Sequence, residues 1–578
     1  MNILLTAINA KYIHSNLAVY SLKAYADEFG GNISIAEYTI NQRTDEILMD
    51  LYKRKPDILC FSCYLWNLTW VEELIRDINK ILPDTMIWLG GPEVTYDAQD
   101  VLKRYPEVDI VMTGEGEATF FELVSCMHNT GYDEKVLKEI KGIVFRSRSG
   151  EIFDCGRRET VDLNTVPFVY EHLGQFEHKI IYYETSRGCP FSCSYCLSSI
   201  DKTLRFRNIE LVKKELGHFL DHNVPQVKFV DRTFNCSHKH AMEIWTYIKE
   251  HDNGITNFHF EVAADLFCPE EIELIKTMRP GQIQLEIGVQ STNEKTIAEI
   301  RRVMDFGQVS VVVKEIGRSG NVHQHLDLIA GLPYEDYQSF RRSFNHVYAL
   351  RPEQLQLGFL KVLKGSYMEQ QKDHYRLVYK SSPNYEVLST RWLSYQDILR
   401  LKHVEEMVEV YYNSGQFTAT IPFLEQAFDD PFQLYEELSI YYEENDLHTL
   451  NHSRVRRYEI LLEFASARDN RRGEQYRELL TYDLYLRENL KSRPPFAGEA
   501  VTGDERIRAF YNTETLCRRY LQGYESYDKH QLRKMTHIER FSYTVDRDGK
   551  QQECWLLFDY RNRKPISGQA TVFRLGFD

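Results

Sequence analysis

Residues Arg187-Gly188-Cys189-Pro190-Phe191-Ser192-Cys193-Ser194-Tyr195-Cys196 set three cysteines in a C-x3-C-x2-C spacing. Three thiolates this close can hold three irons of a cubane cluster and leave the fourth iron without a protein ligand. A zinc site would want four ligands, often as two C-x2-C halves. No second half is evident, and Cys236 and Cys268 stand alone. The spacing therefore predicts a [4Fe–4S] cluster on Cys189, Cys193 and Cys196.

Working outward, the trio follows an apolar run at 180–184 that reads as a strand. Further strand patterns fall at 226–229, 258–262, 282–287, 323–328 and 354–358, with helical stretches between them. Six strands in this rhythm predict a partial (β/α)6 barrel, with the cysteines at the mouth of its first position and the active site at the C-terminal strand ends. Upstream, strand patterns at 3–7, 33–38, 57–62, 86–89 and 110–112 alternate with helical ones at 17–29, 44–53, 71–82 and 119–128. Strict alternation predicts a Rossmann-like, doubly wound parallel sheet. Its ligands would lie beyond the strand ends, at 9–16, 63–67, 90–95 and 114–117.

Residues 140–180 read as a hairpin turning at Ser149-Gly150, then a linker. Beyond the barrel, helical patterns at 395–412, 432–444 and 455–464 and strand patterns at 541–545, 554–560 and 570–575 suggest a mixed, mainly α domain. The expected organisation is 1–135, 136–177, 178–365 and 366–578, and the fold class is α/β.

A chain of 578 residues carries several domains. Its 43% hydrophobic content suits globular cores. The net charge of −15 argues against a large nucleic-acid footprint. No apolar run is long enough for a membrane span, and the N-terminus lacks the pattern of a secretory signal. The eleven cysteines, eight scattered and three crowded, read as those of a protein in a reducing, cytoplasmic setting.

The chain resembles the cobalamin-binding radical SAM family. C-x3-C-x2-C with the aromatic Tyr195 before the last cysteine is the radical SAM signature. Lys228-Phe229-Val230-Asp231-Arg232-Thr233-Phe234 is similar to the second-strand segment of that superfamily, with Asp231 as the candidate to meet the amine of S-adenosylmethionine. Phe260-Glu261-Val262 resembles the third strand. Leu285-Glu286-Ile287-Gly288-Val289-Gln290-Ser291 resembles the fourth, placing Glu286, Gln290 and Ser291 near the cofactor. Leu326 to Pro333 resembles the fifth, where Ile329 and Gly331 would pack on adenine. The resemblance implies that a reduced cluster cleaves S-adenosylmethionine to a 5′-deoxyadenosyl radical, with the protein supplying orientation and seclusion.

Ahead of this core, Trp88-Leu89-Gly90-Gly91-Pro92-Glu93 and Thr113-Gly114-Glu115-Gly116-Glu117 recur in the order seen in cobalamin-binding domains. The resemblance implies cobalamin against Gly90, Gly91, Glu93, Gly114 and Gly116, because glycine lets a strand end approach a bulky ligand. Many such domains carry Asp-x-His-x-x-Gly after the first strand, whose histidine ligates cobalt. Here the loop reads Asn9-Ala10-Lys11-Tyr12-Ile13-His14-Ser15-Asn16, with no Asp two residues before the histidine and no Gly three after. The expectation is cobalamin without a protein nitrogen ligand, its lower face roofed by Tyr64 and Trp66.

The implied activity is methyl transfer via methylcobalamin to an unactivated carbon of a small-molecule or peptide substrate, fed by a reducing partner such as flavodoxin or ferredoxin. Radical rearrangement or cyclisation could use the same cofactors. A tRNA methylthiotransferase would need a second cysteine trio, for which only Cys60, Cys63 and Cys126 are at hand. A non-catalytic cobalamin sensor would leave the cluster motif unexplained. The Arg-rich stretches 454–457 and 468–472 read as solvated helix faces rather than an anion site.

Overall fold

Strand-length apolar runs with both faces hydrophobic need a layer of helices on each side, and the first sheet is built that way. A computed structural model describes residues 1–499, 504–545 and 550–577. β1 (Ile3–Asn9), β2 (Ile33–Thr39), β3 (Ile58–Ser62), β4 (Met86–Gly90) and β5 (Ile110–Met112) are parallel, in the order β2-β1-β3-β4-β5. Alternation sends Leu4 and Ile8 of β1 into one core and Ile3, Leu5 and Ala7 into another on the opposite face.

The hairpin does not stand apart. β6 (Ile143–Arg146) runs antiparallel to β5, and β7 (Ile152–Asp154) pairs with β6. The first sheet thus has seven strands and reaches residue 154. The helix expected at 17–29 stops at Tyr25 and continues as a 3-10 turn over Asp27–Asn32, where Gly30 and Gly31 weaken an α-helix.

The second sheet comprises β8 (Ile181–Tyr183), then, after a two-stranded ribbon of β9 (Ser186–Arg187) and β10 (Arg205–Phe206), β11 (Gln226–Phe229), β12 (Asn257–Val262), β13 (Ile283–Gln290), β14 (His323–Ala330) and β15 (Gln354–Phe359). Its six strands are parallel in the order β15-β14-β13-β12-β11-β8, and β8 does not pair with β15. This is the expected open partial barrel. Apolar residues such as Val227, Phe260, Leu285 and Leu326 face the helices. Tyr182, Lys228, His259, Glu286, His325 and Asp327 occupy the alternate positions of their strands and face the lumen.

Past β15, a short ribbon of β16 (Val378–Tyr379) and β17 (Val387–Ser389) leads to helices Tyr395–Val408, Pro431–Glu444, Arg454–Arg468 and Gly473–Arg487. The helix predicted over 395–412 changes to a π-turn at Glu409–Asn413. The core of the second sheet runs unbroken from Tyr170 into these helices, ending at Leu484. A three-stranded antiparallel sheet of β18 (Thr536–Tyr543), β19 (Gln551–Arg563) and β20 (Ala570–Leu575) closes the chain, with separate small cores on its two faces.

Candidate active site between the two sheets

The carboxyl ends of β3, β4 and β5 face the ribbon beside the cysteine loop across a cavity of about 1470 Å³. Pockets for ordinary small ligands run to roughly 300–1,000 Å³, so the space suits a bulkier occupant. One wall carries Tyr64, Gly90, Gly91, Gly114 and Gly116; the other carries Arg187, Gly188, Leu197, Ser198 and Arg232.

The four glycines do different work. A Cβ on Gly91, at φ +114°, would stand 2.5 Å from the Cys63 carbonyl oxygen. Gly91 is therefore required by packing of the β3 and β4 ends, not by ligand space. Gly90 and Gly116 back onto the side chains of Met112 and Leu22. Gly114, at φ +76°, has no heavy atom within 4 Å of its Cβ position and opens to the cavity. Glu93, two residues after Gly91, is buried and outside the cavity lining, and its carboxyl turns toward Tyr385, with burial raising it. The expectation that Glu93 lies against cobalamin is corrected accordingly.

Tyr64 reaches the cavity and stacks on Trp66, ring centroids 4.5 Å apart. Trp66 itself stays outside the lining, its indole donating to the Ile8 carbonyl oxygen at 3.1 Å. His14 also lies outside the lining; its Nδ1 is 2.5 Å from the Tyr182 hydroxyl, and burial lowers its pKa. The loop after β1 therefore ties His14 to the second sheet.

Cys189 and Cys193 are buried, and Cys196 is half-buried. Burial pushes the Cys189 thiol up, and neighbouring Cys196 and Cys193 push the same way. Metal ligation must displace those protons. The three sulfurs are not among the described donors that converge closely enough to share one ion. They fit a cubane, whose corners are spread, better than a single zinc. Arg302 supplies a cation, its Nη1 3.8 Å from the Cys193 sulfur. Tyr195 packs partly buried against the main core.

Two expected S-adenosylmethionine contacts are occupied by the protein itself. Asp231 is fully buried and accepts from Thr185 N at 3.0 Å, Thr185 Oγ1 at 2.6 Å and Ser186 Oγ at 2.6 Å; burial raises it to about 6. It braces the turn into the cysteine loop from behind. Ser291 is also fully buried, donating to Glu335 at 2.7 Å. Glu286 does face the lumen. Burial alone would raise it, but His259 at 2.9 Å and Lys228 at 3.1 Å hold it down at about 2. Gln290 sits at the end of β13 at φ +71°, its buried Oε1 without a partner. Ile329 packs partly buried against the core, and Gly331 backs onto Val387.

Sequence reading missed the contacts that join the sheets. Arg187 pairs with Glu117 at 2.8 Å and with Glu184 at 2.7 Å, and Arg205 donates to Glu115 at 3.1 Å. A second cluster in the first domain is excluded by geometry. Cys60 and Cys126 lie in the core on one face of the sheet and Cys63 in the core on the other. The arginines at 454–472 find acids nearby, as Arg456 does with Glu463 at 2.7 Å and Arg468 with Glu437 at 3.3 Å.

Three known families match in succession: a B12-binding domain over 3–124, the radical SAM superfamily over 183–347, and a family described as a protein of unknown function (DUF4080) over 373–558. This is the architecture of the cobalamin-binding radical SAM family. Among similar proteins, the cobalamin-dependent radical SAM methyltransferase TokK of Streptomyces tokunonensis is 23% identical over 317 residues, 50% of this chain and 44% of TokK. The hopanoid C-3 methylase of Methylococcus capsulatus is 25% identical over 52% of this chain and 58% of its own length. The matched region thus spans about half the length of these relatives. Solved structures share the fold. The methyltransferase TsrM from Kitasatospora setae, with cobalamin and [4Fe–4S] cluster bound, superposes at TM-score 0.56 with 15% identity, over 66% of this chain and 80% of that one. OxsB with aqua-cobalamin bound gives 0.55 with 16% identity, over 84% and 74%. Among the described residues, no helix is long and apolar enough to cross a membrane.

Proposed function

We propose that this chain is a cobalamin-dependent radical SAM enzyme that transfers a methyl group to an unactivated carbon of a small-molecule or peptide substrate. The observation that carries the reading is one cavity that the Gly114 strand end shares with Gly188 and Leu197, the residues on either side of the Cys189–Cys196 loop. When bound, the cluster supplies single electrons for cleaving S-adenosylmethionine, and cobalamin supplies a methyl carrier. The residues that would hold these groups are Cys189, Cys193 and Cys196 on one side and the Tyr64 and Gly114 loops on the other.

Arg187 and Arg205 fix the distance between the two walls through Glu115 and Glu117. Arg302 places positive charge beside Cys193, where added electrons would reside. The lumen set of Lys228, His259, Glu286, His325 and Asp327 offers donors and acceptors to orient a polar substrate. His325 and Asp327 pair with each other at 3.0 Å, which orients the imidazole in the lumen. A flavodoxin- or ferredoxin-type donor in the cytoplasm would supply the electrons. The test is anaerobic turnover of reconstituted protein with S-adenosylmethionine, cobalamin and a strong reductant. Release of both 5′-deoxyadenosine and S-adenosylhomocysteine is expected. 5′-Deoxyadenosine alone would favour rearrangement or cyclisation, and no cleavage would overturn the enzyme reading.

A further inference from the structure

Cys268 is isolated in the sequence but not in the fold. It caps helix Pro269–Lys276, which follows β12, while His238 opens helix His238–Glu250, which follows β11. The Cys268 sulfur lies 3.2 Å from His238 Nδ1, and His238 Nδ1 lies 3.2 Å from Glu271 Oε1. The three donor atoms all lie within 4.8 Å of one another.

The capping role explains only half of Glu271. Its Oε2 accepts from the Cys268 backbone N–H at 3.0 Å. Its Oε1 is buried on a side chain only 1% exposed, and its nearest donor, His238 Nδ1 at 3.2 Å, makes no well-aligned hydrogen bond to it. A buried carboxylate oxygen without a well-formed hydrogen bond is costly, and this one lies beside a thiol and an imidazole. Tetrahedral zinc with ordinary bond lengths would hold sulfur and nitrogen about 3.5 Å apart and nitrogen and oxygen about 3.3 Å apart. The observed spacings need only small adjustment to meet that geometry.

The donor set selects the ion. A mixed sulfur, nitrogen and oxygen set suits zinc and its neighbours and not magnesium or calcium. A thiolate and a carboxylate would together neutralise a divalent charge, and binding of the ion would displace the thiol proton. The ligating carboxylate is already oriented by a hydrogen bond from the cap, as metal-bound carboxylates generally are. His238 is 57% exposed, which leaves a fourth position to water.

We propose that His238, Cys268 and Glu271 bind one zinc-class divalent cation, which clasps the loop after β11 to the loop after β12. The first of these loops carries Thr233, whose side chain bonds the Cys189 thiol. The clasp would thus stiffen the wall behind the cysteine trio without touching the cavity.

The test is anaerobic titration of full-length protein, purified without reconstitution, with cobalt(II) as a spectroscopic probe. One equivalent should give a thiolate-to-cobalt charge-transfer band that persists in Cys193→Ala and vanishes in Cys268→Ser. Glu271→Gln keeps the helix cap and should weaken binding by about tenfold or more. Zinc measured on reconstituted wild-type protein should be near one per chain and be lost in His238→Ala. Circular dichroism of each variant separates loss of metal from loss of fold. A charge-transfer band that follows Cys193 instead of Cys268, or folded wild-type protein that holds no zinc, would overturn the proposal.

Discussion

Gly114 is the residue where a side chain would enter the cavity directly, because open space surrounds its Cβ position. Its φ of +76° excludes most residues, but asparagine tolerates that region. Gly114→Asn should therefore fold normally and bind cobalamin much more weakly, as read by equilibrium dialysis. Gly91→Val would lose cobalamin for a different reason, since its side chain would collide with Cys63. His14 makes the complementary case. Its imidazole is engaged with Tyr182 and lies outside the cavity lining. The electron paramagnetic resonance spectrum of bound cobalt(II) should show no protein nitrogen splitting and should be unchanged in His14→Ala. A splitting that disappears in that variant would show the loop to be a cobalt ligand after all.

At the scale of elements, the end of β13 is locked to the loop after β14 by buried polar bonds. Glu335 accepts from Ser291 at 2.7 Å and from Ser343 at 2.8 Å, and burial pushes it up to about 7. A carboxyl whose folded pKa lies above its unfolded value binds its proton more tightly when folded. Its contribution to stability is greatest below about pH 4.5 and declines as pH rises toward 7. Glu335→Gln should flatten the difference in melting temperature between pH 5 and pH 8; an undiminished difference would assign it to other groups.

The strands were legible because their apolar periods are strong, and the open barrel followed from their number. The pairing of the hairpin with β5 was not, since an antiparallel hairpin carries no mark of the edge it will join. Asp231 and Ser291 present a related ambiguity. A polar residue at a strand end can face a ligand or brace the next loop, and spacing does not distinguish the two. The partners of Glu117 and Glu115 lie 70 and 90 residues away, on arginines that sequence alone could not bring near. His238 lies 30 residues before Cys268, and the two, with Glu271, converge only when the loops after β11 and β12 meet.

At the scale of the molecule, the first sheet docks on the second through charge. Arg187 is 21% exposed at its side chain and sits among Glu115, Glu117 and Glu184. Removing one member of a largely buried pair costs about 3 kcal/mol, because its partners remain desolvated. Arg187→Leu should leave each sheet folded but expose the segment around residues 156–178 to limited proteolysis. Protection equal to wild type would mean that the apolar contacts alone hold the domains together.

The unbroken core from Tyr170 to Leu484 sets where the chain can be recombined with its relatives. The first sheet owns its hydrophobic layers on both faces, so a crossover near residue 160 would exchange it as a self-sufficient cassette. A crossover near residue 365 would split one core between two parents, and side chains shaped against one partner would have to repack against another. The barrel and the helices that follow it are therefore expected to be inherited together, while the domain ahead of them is free to be shuffled.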